Sequence, residues 1–419
     1  LPTLPGAIMK RTLAVGLTAL SAAAVLTACS GRGTTIEAGE CDPGITDTEI
    51  RFGSSLMQSV AGPQAKAATA LFEDINQDGG VTMGDGRTRR IVYTALDDGY
   101  DPARTVGNVR SLVEQEQVFA IHNLVGTPST LAVVDYLSSK NVPLVFPMTG
   151  SDELLASAAD RPVVAGAVNP QTGWEVSAHA EQMLARHPNA KIAVLYPNDS
   201  LGSGSLAALE AALEGSGAQI VARQSYEPTT PSVDSQVVNL ANSGADVFMN
   251  FATASFVTQS LKKAHELRWD PDTYIYSGAT DTNFVLAPAG LEAAEGIHSF
   301  YWIYDVSSPE HDDRPGVAKW REFAARHARD FASTDTIAAT GYNTAQLLVT
   351  ALEQMDGCSR TDLLDAVRNL DGVTTDLSIE GITFDTTPDY PYAITSMAPM
   401  TFRDGSWHYD AVVTRGEDR

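Results

Sequence analysis

The chain has 419 residues, 52 acidic against 28 basic, for a net charge of −24. Such a surface repels phosphate backbones and anionic lipid heads, so nucleic acid is excluded as an expected partner. The length exceeds what one hydrophobic core serves, so two lobes are expected. Three cysteines with no metal-like Cys/His spacing give no metal site.

In chain order, residues 1–8 precede Met9, the expected initiator. Lys10 and Arg11 form a basic start, and an apolar stretch runs from Leu13 to Leu26. It is shorter than the ~20 apolar residues that cross a bilayer as a helix, so it reads as a signal segment. It ends in Leu26-Thr27-Ala28-Cys29, which resembles the bacterial lipobox and implies an acylated Cys29 at the start of the mature chain. Each buried methylene of such an anchor contributes ~0.8 kcal/mol. An ordinary secretory signal beside a cysteine is the alternative. Residues 30–45 read as a small polar tether, and no later stretch is long and apolar enough to span a membrane. The expected location is extracytoplasmic, with membrane attachment through the N-terminal lipid. Export means an oxidising compartment, so the remaining Cys41 and Cys358 are expected to pair, with two free thiols as the alternative.

From Glu49 onward short apolar runs alternate with amphipathic helical stretches. Ile50–Gly53 reads as a strand entering a polar loop, followed by a helix over 63–76 that stops at Asp78-Gly79-Gly80. Strand 90–94, the turn 97–102, helix 103–114, strand 118–121, helix 130–139 and strand 143–146 follow. After a break at Arg161-Pro162 the scheme repeats: helix 174–186, strand 191–196, helix 205–214, strand 219–222, helix 235–242, strand 246–250, helix 256–265, strand 274–276. Residues 340–355 and 360–370 read as helices, and 400–407 as a terminal hairpin. Strands alternating with helices imply parallel sheets covered on both faces. The fold class is α/β: two doubly wound parallel-sheet lobes.

In such sheets ligands sit beyond the carboxyl ends of the strands. The loops concerned are 54–62, 123–129, 147–152, 197–205, 251–255 and 277–283, rich in Ser, Thr, Gly and Asn. These residues suit a polar ligand group, and singly they are also ordinary caps and turns. Catalytic patterns are weak. Gly202-Ser203-Gly204-Ser205-Leu206-Ala207 fits the dinucleotide fingerprint, but a six-residue loop parts it from its strand. His122 reads as a packed histidine rather than a base, and Asp97 and Asp98 as turn and cap residues. Neither enzyme activity nor a cofactor is expected.

Several segments match one family in order and spacing. They are Phe72-Glu73-Asp74-Ile75-Asn76 running into Gly79-Gly80, the turn Asp97-Asp98-Gly99-Tyr100-Asp101-Pro102, and Val142-Pro143-Leu144-Val145 before Pro147. Lys191-Ile192-Ala193-Val194-Leu195-Tyr196 with Leu201-Gly202, and Glu292-Ala293-Ala294-Glu295-Gly296, complete the set. Together they resemble the branched-chain amino acid (Leu/Ile/Val) substrate-binding proteins of ABC transporters, of type I periplasmic binding fold, over nearly all the chain after Thr46. The resemblance implies two lobes closing on a small ligand, an amino acid or related amide or carboxylate, that is then presented to a membrane permease. It implies a monomer with lobe one at 46–167 plus 302–388 and lobe two at 168–301 plus 389–419. A ligand-sensing surface receptor without transport is the alternative role.

Site residues follow from the matched positions. Thr127, beside Gly126, takes the place of the hydroxyl that holds a ligand carboxylate. Met148, Thr149, Gly150 and Ser151 supply carbonyl and hydroxyl contacts, and Gln58 and Ser59 join from the first loop. Leu201 stands where the family has an aromatic, and a second aromatic position falls near Ala252 or Thr253. The acid that pairs with a ligand ammonium falls at Ala279, so Asp281 two residues on is the candidate replacement. The family's small disulfide would join the positions of Tyr100 and Gly126 and is absent. Tyr301, Trp302 and Tyr304 read as hinge packing.

Overall fold

A computed structural model of the chain describes residues 41–156 and 162–415. Cys29, the signal segment and the tether up to residue 40 lie outside the described residues. The first sheet holds β1 (Glu49–Leu56), β2 (Val81–Thr82), β3 (Thr88–Asp97), β4 (Ala120–His122), β5 (Leu144–Val145) and β6 (Val164–Ala165), in the order β2-β3-β1-β4-β5-β6. Only β2 runs antiparallel to its neighbour. Its helices are α1 (Gln58–Gln77), α2 (Pro102–Glu114), α3 (Thr127–Ser139) and the short α4 (Asp152–Ala156).

The second sheet holds β7 (Lys191–Pro197), β8 (Gln219–Tyr226), β9 (Val247–Asn250), β10 (Asp272–Ile275) and β11 (His298–Tyr301), all parallel. The terminal hairpin of β12 (Ser396–Arg403) and β13 (Ser406–Tyr409) extends it antiparallel beyond β11, and β14 (Val413–Thr414) pairs with β12. Around it lie α5 (Thr172–Arg186), α6 (Ser200–Ala212), α7 (Asp234–Ala241), α8 (Ala254–Glu266), and the single turns α9 (Ala287–Ala289) and α10 (Leu291–Ala294). The chain then returns to the first sheet with α11 (Pro315–Arg326), α12 (Thr336–Gln354) and α13 (Arg360–Arg368).

The inner strands are buried on both faces, as all four residues of β9 show, which is why they read as continuous apolar runs. The parallel strands of each sheet share one order: β3-β1-β4-β5-β6 in the first and β8-β7-β9-β10-β11 in the second. Each therefore has a switch point, between β1 and β4 and between β7 and β9, where ligand crevices form in doubly wound sheets.

Two of the expected loops are regular structure. The segment 54–62 is not a loop, because β1 runs on to Leu56 and α1 begins at Gln58. Polar residues survive in this buried strand because their hydroxyls are satisfied: Ser54 donates to the Asn123 carbonyl at 3.0 Å and Ser55 to Asp98 at 2.9 Å. Asp97 accepts from the Gln58 amide at 3.0 Å, holding the start of α1. Likewise Leu201 and Gly202–Ser205 lie inside α6, whose cap Asp199 accepts from the Gly202 amide at 3.1 Å. A pyrophosphate would need that amide, so the dinucleotide fit is a coincidence of helix residues. Gly202 has its own reason: a Cβ there would meet the Pro197 carbonyl oxygen at 1.9 Å.

Cys41 and Cys358 form the expected disulfide, tying the start of the body to the loop between α12 and α13. Beside it Arg360 donates to the carbonyls of Phe119 at 2.9 Å and Val118 at 3.0 Å. Among the described residues no helix is long and apolar enough to cross a membrane.

Candidate ligand-binding site

A cavity of about 130 Å³ lies between elements of the two sheets. Helix periodicity sets much of its wall. Val60, Ala61 and Gln64 come from one face of α1, and Thr336, Ile337 and Thr340 from the first turns of α12, both with i, i+1, i+4 spacing. The two helices cross closely, and a Cβ on Gly341 would stand 2.1 Å from the Gln64 carbonyl oxygen. The ends of the first sheet add Val125 and Met148. From the second half come Ala254 at the start of α8, and Ser277, Gly278, Thr280, Asp281, Phe284 and Val285 after β10. Tyr301 and Trp302, stacked at 4.6 Å where the chain recrosses, close the remaining side.

The walls are mainly apolar and their polar groups are specific. Asp281 accepts from the Phe284 amide and from the Thr336 hydroxyl, so each of its oxygens already serves a protein donor and one of them links the second half to the N-terminus of α12. Burial raises its pKa, and the charges of Asp305 and Asp335 add to that, against the lowering effect of its two donors. The Tyr301 hydroxyl lies 3.3 Å from that of Thr340. Burial pushes the Tyr301 phenol up to about 12, so it stays neutral. Two buried polar atoms of the wall have no protein partner: the side-chain nitrogen of Gln64 and the hydroxyl of Ser277. The Ser277 amide, by contrast, donates to Glu175 at 2.7 Å.

Of the sequence candidates, Met148 and Asp281 line this cavity. Thr127 and Thr149 meet each other at 2.8 Å between hydroxyls, buried at neighbouring strand ends. Gly126 has φ +104 and a Cβ there would meet the Tyr100 ring at 2.8 Å, so only glycine fits under that ring. Gly150 is pressed against the Pro170 carbonyl, 2.0 Å from where its Cβ would be. Ser151 and Gln58 border separate surface hollows, and Ser59 is exposed beside Val60 on α1. Leu201 and Ala252 are buried, and the Thr253 amide donates to the Tyr226 hydroxyl at 3.0 Å. Ala279 is buried too. Tyr301 and Trp302 do more than pack a hinge, because both face the cavity. Gln64, Thr336 and Ile337 were not among the candidates, and Ser277 entered only as the first residue of the loop 277–283; Gln64 is a polar residue on the apolar face of a helix, the signal that could have marked it.

His122 is fully buried within 6.4 Å of the rings of Phe52, Phe72, Tyr93 and Phe146. Burial lowers its pKa to about 3, which makes it a neutral packed ring. Asp98 serves the Ser55 and Thr105 hydroxyls and Asp97 the Gln58 and Gly99 amides, as turn and cap residues do. No cluster of three or more metal-ligating side chains occurs among the described residues.

Residues 52–406 match the family model described as periplasmic binding protein. The Leu/Ile/Val-binding protein homolog 7 of Brucella abortus (strain 2308) is 22% identical over 344 residues, covering 77% of this chain and 82% of the relative. Among solved structures, a possible leucine/isoleucine/valine-binding protein from Rhodopirellula baltica superposes with a TM-score of 0.73 at 20% identity, over 90% of this chain and 98% of the other. A branched chain amino acid ABC transporter protein from Thermus thermophilus with bound valine gives 0.76 at 16% identity, over 88% and 98%. A fatty acid ABC transporter substrate-binding protein from Thermomonospora curvata gives 0.74 at 21% identity, over 90% and 95%.

Proposed function

The chain belongs to the periplasmic binding protein family, and on that premise we propose that it captures a small molecule between its two lobes outside the cytoplasmic membrane and hands it to an ABC transporter permease. The observation that carries this reading is the cavity itself, walled by α1 and α12 on one side and by the residues after β10 on the other. A ligand there touches both halves at once, so binding it favours the closed arrangement over an open one. The names of the relatives add that molecules with branched or longer apolar parts are bound on this fold. The apolar walls formed by Val60, Val125, Ile337 and Trp302 suit such a part.

In this reading the lobes are 46–167 with 302–388, and 168–301 with 389–419. Cys29 carries the lipid that keeps the protein at the membrane. The chain binds rather than converts its ligand. Serine at position 29 (Cys29→Ser) should move the protein from the membrane fraction to the soluble one; retention on membranes would remove the anchor.

The test of the binding role is a thermal-shift screen with aliphatic and aromatic amino acids, amides, fatty and aromatic acids, and sugars. A compound at about 100 times its Kd stabilises by about 2.7 kcal/mol, enough to raise Tm by several degrees. A flat response to every compound at millimolar concentration would contradict the reading.

A further inference from the structure

The cavity is graded from mouth to floor. By exposure, Phe284 at 41% and the half-buried Val60 mark its mouth, while Gln64 at 1%, Ser277 at 1% and Trp302 at 2% belong to its buried floor. A cavity of about 150 Å³ takes a benzene ring and stays dry when its walls are apolar, so 130 Å³ here suits a ring or a group of similar bulk. The floor is not wholly apolar, however. Gln64 sits on α1 where its backbone carbonyl meets the α12 crossing, and its side-chain amide nitrogen is buried without a protein partner. An unmet buried donor is costly, and retaining one on an otherwise apolar helix face makes sense where something supplies an acceptor.

The charges limit what that acceptor is. Among the described residues, Asp281 is the sole charged one in the wall, and no Lys, Arg or His lines it. An anionic group at the floor would find no counter-charge and would face a carboxylate, a costly burial. The acceptor is therefore an uncharged oxygen. Across the cavity, the unpartnered Ser277 hydroxyl belongs to the other half of the molecule. A ligand polar at two points meets one unmet group from each half, and so gains most when the two halves are closed.

We propose that the cavity selects a ligand with a ring-sized apolar body bearing an uncharged oxygen at its inner end, and that the Gln64 amide is the residue that reads that oxygen. This rests on the cleft-binding reading above and narrows it.

Matched probes test it by calorimetry: phenylacetate against 4-hydroxyphenylacetate, and phenylalanine against tyrosine, with leucine and octanoate as aliphatic references. The wild type should bind the hydroxylated member of a pair about tenfold more tightly, the worth of one good hydrogen bond to a buried amide. Gln64→Leu should abolish that preference, bringing the ratio of affinities within each pair to about one. Equal affinities within both pairs in the wild type, or a preference that survives Gln64→Leu, overturns the proposal. So does binding of leucine or octanoate with neither aromatic pair, an outcome that leaves the cleft-binding reading standing. Silence of all six probes overturns the proposal as well, and the broader screen then decides whether the cleft reading falls with it. A second measurement needs no ligand: Gln64→Leu should raise the Tm of the empty protein by a few degrees, since it removes an unmet donor. A lower Tm would show that the amide is already satisfied, which overturns the assignment.

Discussion

Asp272, at the start of β10, lies 2.9 Å from His187 Nε2 and 3.0 Å from His298 Nε2, and accepts from the Tyr274 hydroxyl at 2.9 Å. Burial by itself would raise its pKa, but the hydrogen bonds and charge of these partners outweigh it and hold the carboxyl at about 2, below its usual 3.8. A carboxyl depressed in the folded state stabilises at pH above its unfolded value, and that contribution fades as pH falls through the folded one. Asp272→Asn should therefore cost about 2 kcal/mol near neutral pH, the gap narrowing between about pH 4 and pH 2. Urea unfolding at those pH values checks this. Equal stability of variant and wild type at neutral pH would mean that the cluster is held by packing alone. Asp281 is the opposite case: its pKa is raised, so its ionised form is disfavoured by folding. It keeps its place through its bonds to Thr336 and Phe284.

At the scale of elements, the crossing of α1 and α12 holds the cavity floor in place. A methyl on Gly341 would run into backbone, the Gln64 carbonyl, rather than into a side chain that could move aside. Gly341→Ala should destabilise by about 1–3 kcal/mol, the range for overpacking a tight contact, and should weaken ligand binding with it. A variant as stable as the wild type in thermal unfolding would show that the helices have room to part. The disulfide is a second fastening: Cys358→Ser opens a loop with a sequence separation of 317 and should cost about 2–5 kcal/mol. Unchanged melting in reductant would remove it from the account.

The alternation of strands and helices was legible because inner strands such as β7 and β9 carry continuous apolar runs, Ile192–Leu195 and Val247–Met249, and the helices do not. Element edges were harder. Ser54, Ser55 and Gln58 look like loop residues until their partners Asn123, Asp98 and Asp97, brought in from elsewhere in the chain, are in place. The strand-end rule reached Met148 and Asp281 but missed Thr336 and Ile337, because α12 follows the return crossing and its apolar face looks like plain core. Gln64 needed the fold, since its significance is the partner it lacks.

For the whole molecule, two sheets of like strand order share one cavity at their meeting surface. The polar floor and apolar walls divide the work: the walls supply affinity in proportion to buried area, and the unmet Gln64 and Ser277 groups supply discrimination. Val60 at the cavity mouth offers the most direct test, because it is half-buried and a larger side chain can fill the opening without entering a packed core. The measurement is calorimetric titration of the tightest compound from the thermal-shift screen into the wild type and Val60→Trp. Loss of binding by at least about a hundredfold is predicted, equivalent to about 2.7 kcal/mol, with the unliganded melting curve unchanged. Undiminished affinity in the variant would show that the ligand binds elsewhere and would contradict the account.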